Sequence, residues 1–234
     1  CAGPAVGPSG RPELVQVPRE LPPPLQQPLP HPALPAEKQI APRLDRFRLR
    51  QHVGVALLLA DAADEAVVVR LDPGLAFGTG THPTTAMCLE WLDSIDLENK
   101  SVLDYGCGSG VLAIAALKLG AGAATGMDID PQAAIATRQN AAANGVTVTV
   151  LGSDAEIGGT YDVVVANILA GPLVEIADSI TSRLTSRGML ALSGVLCEQA
   201  DEVMAAYAPW IEFDEPLFRE QEGQTWSRLT GSRR

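Results

Sequence analysis

The sequence predicts an α/β protein, a doubly wound and mostly parallel sheet that ends in a late antiparallel hairpin. Three observations predict it. Apolar runs of strand length alternate with helical spacings between residues 66 and 208, the pattern of a sheet with helices on both faces. One run, 101–103, opens into Asp104-Tyr105-Gly106-Cys107-Gly108-Ser109-Gly110 and then into apolar helical spacing from Val111. That is a strand, a tight turn and a helix, in which glycines let the backbone take positive φ and approach a ligand, so the loop forms one wall of a crevice. Finally, the runs 211–213 and 225–230 close the chain as adjacent strands.

Each element has its own signal. Residues 66–71 are a short β-branched run, followed by Asp72-Pro73-Gly74 and the loop Phe77-Gly78-Thr79-Gly80-Thr81-His82-Pro83-Thr84-Thr85. Pro83 sits where a first helical turn starts, and Met87, Leu89, Trp91, Leu92 and Ile95 carry the helix to about Ile95. The loop thus ends on a helix N-terminus, whose free N–H groups can hold a carboxylate. The spacing then predicts a helix over 111–119, a strand over 123–129, an alanine-rich helix over 131–144 and a strand over 146–150. Strand 161–166, helix 172–186, strand 189–195 and helix 198–208 follow before the last two strands.

The first 60 residues are a different material. Twelve of the 18 prolines fall before residue 43, with Pro22-Pro23-Pro24 among them and little hydrophobic periodicity. Such a stretch cannot bury a core and is expected to be extended or disordered. The expected organisation is therefore a proline-rich extension over 1–60 and one folded domain over 61–234. The first methionine is Met87, which suggests a fragment, a processed product or a misjoined 5′ end. A formal charge of −11 and a pI near 4.7 argue against a broad basic face for nucleic acid and suit a basic polypeptide partner. Cys1, Cys88, Cys107 and Cys197 lack metal-ligand spacing and read as reduced thiols of a cytoplasmic protein, so no metal site is expected. No apolar run reaches the roughly 18–20 residues that span a bilayer, so no membrane partner is expected.

The glycine spacing narrows the ligand. Dinucleotide binding calls for G-x-G-x-x-G with a pyrophosphate on the helix N-terminus. Here the order is G-x-G-x-G, and Asp104 precedes it. An acid at that point repels a pyrophosphate but suits a cationic end with a free amino group, as in S-adenosylmethionine. Asp128 ends the next apolar run, 22 residues after Gly106, where a carboxylate accepts hydrogen bonds from ribose hydroxyls. The plainer reading is that the glycines merely connect a strand to a helix. The pattern D-x-G-x-G-x-G resembles the first motif of class I methyltransferases.

Residues 71–85 (Leu-Asp-Pro-Gly-Leu-Ala-Phe-Gly-Thr-Gly-Thr-His-Pro-Thr-Thr), the glycine loop 104–110 and Asn167-Ile168-Leu169-Ala170-Gly171-Pro172-Leu173 together resemble a bacterial family that methylates the eleventh protein of the large ribosomal subunit. The three motifs occur in order, and the similarity runs from about residue 61 to the end. The resemblance implies a seven-stranded, Rossmann-like methyltransferase sheet, S-adenosylmethionine as cofactor, and lysine and α-amino groups of that ribosomal protein as acceptors. It places cofactor contacts on Thr85, Gly106, Asp128 and Asn167, with Asp104 and Gly108 in the same loop, and makes Asn167 the candidate catalytic residue. Enzymes acting on base amines often follow such an Asn with prolines and an aromatic ring that stacks on a flipped base. Here Ile168, Leu169 and Ala170 follow, which favours an aliphatic amine and no direct nucleic-acid contact. In the plainer reading Asn167 only shapes the turn into the next helix. His82 is a candidate base by proximity, although a histidine before proline more often shapes a turn. The family's amino-terminal recognition domain is not evident in residues 1–60. That leaves a methyltransferase of another protein or a small amine, or a cofactor-binding module without turnover, as alternatives; an NAD-dependent oxidoreductase is disfavoured by the glycine spacing.

Overall fold

The computed structural model describes residues 55–59, 66–72 and 82–234. The proline-rich stretch and the glycine-threonine loop 73–81 lie outside the described residues.

The core of the fold is a sheet in the order β5-β4-β3-β6-β7-β10-β8, with β9 pairing on β10. Its parallel part comprises β3 (Ser101–Tyr105), β4 (Ala123–Met127), β5 (Thr149–Leu151), β6 (Tyr161–Asn167) and β7 (Leu184–Leu196). Within this sheet the path starts at β3, runs outward to β5, then returns to lay β6 on the other side of β3. This reversal opens a crevice at the carboxyl ends of β3 and β6. β10 (Gln224–Arg233) lies antiparallel to β7, and its outer edge is shared by β8 (Ile211–Phe213) and β9 (Leu217–Gln221). Ahead of the sheet, β1 (Val55–Leu59) and β2 (Ala66–Arg70) form a separate antiparallel pair.

The strand sequences are apolar on both faces because both faces are covered. Val102, Val163, Val165 and Ala191 join one core with α1 (Pro83–Ser94), α2 (Val111–Lys118) and α3 (Pro131–Ala143). Their neighbours Leu103, Tyr105, Val164, Ala166, Leu190 and Leu192 join the other with α4 (Ala170–Glu175), α5 (Ala177–Ser182) and α6 (Ala200–Tyr207). Local chemistry sets the helix starts. Pro83 and Pro131 stand in first turns, and Asp130 caps α3 by accepting the Gln132 N–H at 2.9 Å.

The doubly wound sheet and late hairpin agree with the sequence-based expectation, and several elements differ; the strand expected over 146–150, for one, is only Thr149–Leu151. The helix expected over 172–186 is two short helices broken at Ile176. It stops at Arg183 because that residue is taken by other partners: its carbonyl accepts the Tyr161 N–H at 2.7 Å, and its guanidinium donates to the Ile157 carbonyl at 2.7 Å. β7 therefore begins at Leu184, earlier than expected. β9 has no counterpart among the expected strands, since Leu217–Gln221 has a single partner strand and much of it stays exposed. β1 lies ahead of residue 61, inside the stretch assigned to the extension.

Candidate functional site

The site forms where β3 and β6 end. Beyond β3 the loop turns on Gly106 (φ 79°), Gly108 (φ 51°) and Gly110 (φ 79°), all left-handed. At Gly106 a Cβ would collide with the Ile168 side chain, so the loop after β3 and the turn after β6 touch directly. At Gly110 a Cβ would stand 2.7 Å from Thr137 of α3. Both glycines permit close approach as well as positive φ.

Asp128, just past β4, links the loop to the next crossover. One carboxylate oxygen accepts the Gly108 N–H at 2.9 Å and the other accepts the Asp130 N–H at 2.9 Å. The carboxylate remains partly exposed, and each oxygen retains further acceptor capacity.

Thr85 and Asn167 meet although 82 residues separate them. Asn167 ends β6, and its Nδ2 donates to Thr85 Oγ1 at 3.1 Å. Thr85 lies in the first turn of α1 and is 2% exposed. With Nδ2 so held, the Asn167 amide is fixed at the end of β6 and keeps Oδ1 as an acceptor.

Asp104 is placed differently from the sequence-based expectation. Its carboxylate is 1% exposed and accepts the Ala113 N–H of α2 at 3.1 Å, inside the fold. Burial pushes its pKa from the ordinary 3.8 to about 7; the Ala113 N–H opposes the rise and Asp128 adds to it. A folded-state pKa above the unfolded value means that the native protein binds an extra proton between about pH 4 and pH 7, so stability falls as pH rises through that window. Asp104→Asn is therefore expected to flatten this part of the curve. Urea titrations at pH 5 and pH 7 check it, and parallel pH trends in both proteins would contradict the assignment.

His82 precedes Pro83, with its Nδ1 2.7 Å from Thr84 Oγ1 and its ring edge-on to Trp226, centroids 4.7 Å apart. Desolvation lowers its pKa, and Glu222 opposes the shift. These contacts make it part of the turn into α1. Cys88 and Cys107 are buried, which raises both thiols to about 12 and leaves them protonated. Among the described residues no cluster could hold a metal, and no helix is long and apolar enough to cross a membrane.

Several supports have no clear mark in the sequence. Thr137 Oγ1 donates to the Gly108 carbonyl at 3.0 Å, and Asn140 Nδ2 donates to the Ser109 carbonyl at 2.9 Å. Asn144 brackets Arg70 of β2 through Oδ1 and Nδ2, at 2.7 and 2.6 Å. Positions 137 and 140 share one face of α3 and Asn144 is its C-cap, so polar residues spaced along an alanine-rich helix are the available signal. Gly194 is another. It has φ 85° and no Cα partner between the pairs Ser193–Arg228 and Val195–Ser227, so it is a β-bulge. A Cβ there would lie 2.8 Å from the Ile168 carbonyl carbon.

A doubly wound sheet with a glycine loop at its reversal point, an acid closing the next strand and an amide at the end of β6 defines the class I methyltransferase fold. The sequence model described as ribosomal protein L11 methyltransferase (PrmA) matches residues 53–234. The chain belongs to that family. The ribosomal protein L11 methyltransferase of Shewanella piezotolerans is 58% identical over 172 residues, covering 72% of this chain and 57% of the relative. That of Chromobacterium violaceum is 56% identical over 172 residues, covering 74% and 56%. A crystal structure of a ribosomal protein L11 methylase from Lactobacillus delbrueckii subsp. bulgaricus superposes with a TM-score of 0.65 at 35% identity, over 71% of this chain and 85% of that one. The chain thus spans little more than half the length of the curated relatives it matches.

Proposed function

We propose that the chain is a protein N-methyltransferase that uses S-adenosylmethionine and modifies lysine and α-amino groups of ribosomal protein L11 in the cytoplasm. The observation that carries this reading is the Asn167–Thr85 pair beside the glycine loop, which orients the Asn167 amide at the carboxyl end of β6. Bound there, S-adenosylmethionine supplies a methyl carbon already activated by its positive sulfur. Gly106 and Gly108 offer backbone that a nucleoside can approach, and the Asp128 carboxylate is matched to ribose hydroxyls. Asp104 serves this site from beneath by holding the first turn of α2.

An acceptor lysine is protonated in water and must present a neutral nitrogen in line with the bond that breaks. Asn167 Oδ1 accepts one amine N–H and aims the lone pair, and the absence of an aromatic ring after Asn167 suits a slender aliphatic chain. Positioning of this kind provides most of the rate when the leaving group is already activated. Residues 61–234 make up the transferase domain in this reading, with the proline-rich stretch outside it.

Transfer of a radiolabelled methyl group from S-adenosylmethionine to purified L11 tests the proposal, with labelled L11 as the expected product. The main rival is a cofactor-binding module without turnover. It requires calorimetric binding with no label transferred. Asp128→Ala is expected to weaken cofactor binding about tenfold or more, since a hydrogen bond to a charged group contributes about 1.5–3 kcal/mol and the Gly108 anchor is lost as well. Calorimetry checks this, and unchanged affinity in a folded variant removes Asp128 from the site.

A further inference from the structure

Leu169 stands two residues beyond Asn167 and is 69% exposed, while Ala170 after it is buried and Ile168 before it is partly buried. An isolated exposed leucine is ordinary on a protein surface, but this one sits on a backbone held from several directions. The Ile168 side chain is packed against Gly106, and the Ile168 backbone against Gly194. Leu169 itself lies at φ −64°, ψ 152°, and its carbonyl accepts the Leu173 N–H at 3.2 Å. A fixed backbone therefore presents a large apolar side chain two residues beyond the amide at the end of β6, where it adds little to the core. On the other side of the glycine loop, Ile129 is 83% exposed next to Asp128, so the two aliphatic groups belong to different ends of the site.

Resting on the function proposed above, we infer that Leu169 is an acceptor-binding residue whose side chain covers the aliphatic stem of the incoming lysine. The chemistry favours that occupant. A lysine places a four-carbon apolar stem behind its nitrogen, and a leucine at the mouth takes that stem out of water. Leu169 thereby selects long aliphatic amines over short ones and acts on acceptor recognition, leaving cofactor affinity alone.

The test uses the full chain and two blocked peptides, one with a single lysine and one with diaminopropionate, its short-stemmed homologue, at the same place. The wild type is expected to prefer the lysine peptide. Leu169→Ser is expected to raise KM for that peptide about tenfold, equivalent to about 1.4 kcal/mol, with kcat, Tm and the calorimetric Kd for S-adenosylmethionine unchanged. Its activity on the short homologue stays at the wild-type level, and Leu169→Met retains the preference. An unchanged KM for the lysine peptide, equal losses on both peptides, or a parallel loss of cofactor affinity overturns the inference while leaving the methyltransferase reading in place. A wild-type chain that binds cofactor yet labels neither the lysine peptide nor purified L11 overturns that reading, and this inference with it.

Discussion

Gly106→Val is expected to abolish measurable S-adenosylmethionine binding while leaving the sheet folded. The backbone at Gly106 has φ 79°, a region in which a β-branched residue is a genuine outlier. The first added carbon would also collide with Ile168, which cannot retreat because its own backbone is packed against Gly194. Strain and overpacking together cost about 2–4 kcal/mol, within the stability of most domains. The loop gives way before the sheet, because β3 is paired on both sides. Movement of Gly106 carries Gly108 away from Asp128 and Ile168 away from its place after Asn167, so both halves of the crevice lose shape together. Calorimetry should show affinity reduced by more than about 100-fold. Far-ultraviolet circular dichroism should be near wild type, with a lowered Tm. Normal binding in a folded variant would show that the loop does not contact the cofactor.

Much of this site is legible in the amino-acid sequence, because its signals are local. Glycines at alternate positions after an apolar run mark a strand that ends in a tight turn, and an acid closing the following strand marks the next crossover. Their relation to Asn167 comes only through resemblance, since nothing in residues 161–173 alone shows that β6 returns to the side of β3. Asp104 marks the limit of local reading. From the sequence it is an acid at the mouth of a loop, open to a cationic ligand. In the fold its side chain turns inward onto the Ala113 N–H, nine residues along, where burial raises its pKa.

The features that the sequence hides share a cause. The end of the helix at Arg183, short of the expected 186, follows from Arg183 pairing with Tyr161 and Ile157, which no helical periodicity in 172–186 can reveal. Gly194 reads as an ordinary glycine near a strand end until the register against β10 shows a bulge and the close face of Ile168 shows its purpose. Thr137 and Asn140 are visible as residues but not as partners, because the loop carbonyls they serve lie about thirty positions earlier. Sequence patterns report the faces of elements. The side-chain bonds that lock one element to another depend on the topology that brings them together.

Asn167→Ala is expected to lower the single-turnover rate of methyl transfer about 100-fold while changing cofactor affinity far less. Removing the side chain deletes Oδ1, the acceptor proposed to aim the amine, and leaves the Thr85 hydroxyl without its partner. The backbone of the turn is held independently, by the Ile168 contacts with Gly106 and Gly194, so the cofactor-facing loop keeps its shape. Thr85→Val separates the two roles. It removes the group that orients the amide but keeps Oδ1, so its rate is expected to fall between those of the wild type and Asn167→Ala. The measurement is rapid-quench transfer from pre-bound labelled S-adenosylmethionine to saturating L11, with calorimetric Kd values taken on the same preparations. Equal losses in rate and affinity would make Asn167 a cofactor contact. A wild-type rate in Asn167→Ala would reduce it to a turn residue, and a Thr85→Val rate equal to wild type would show that the amide needs no orienting hydroxyl.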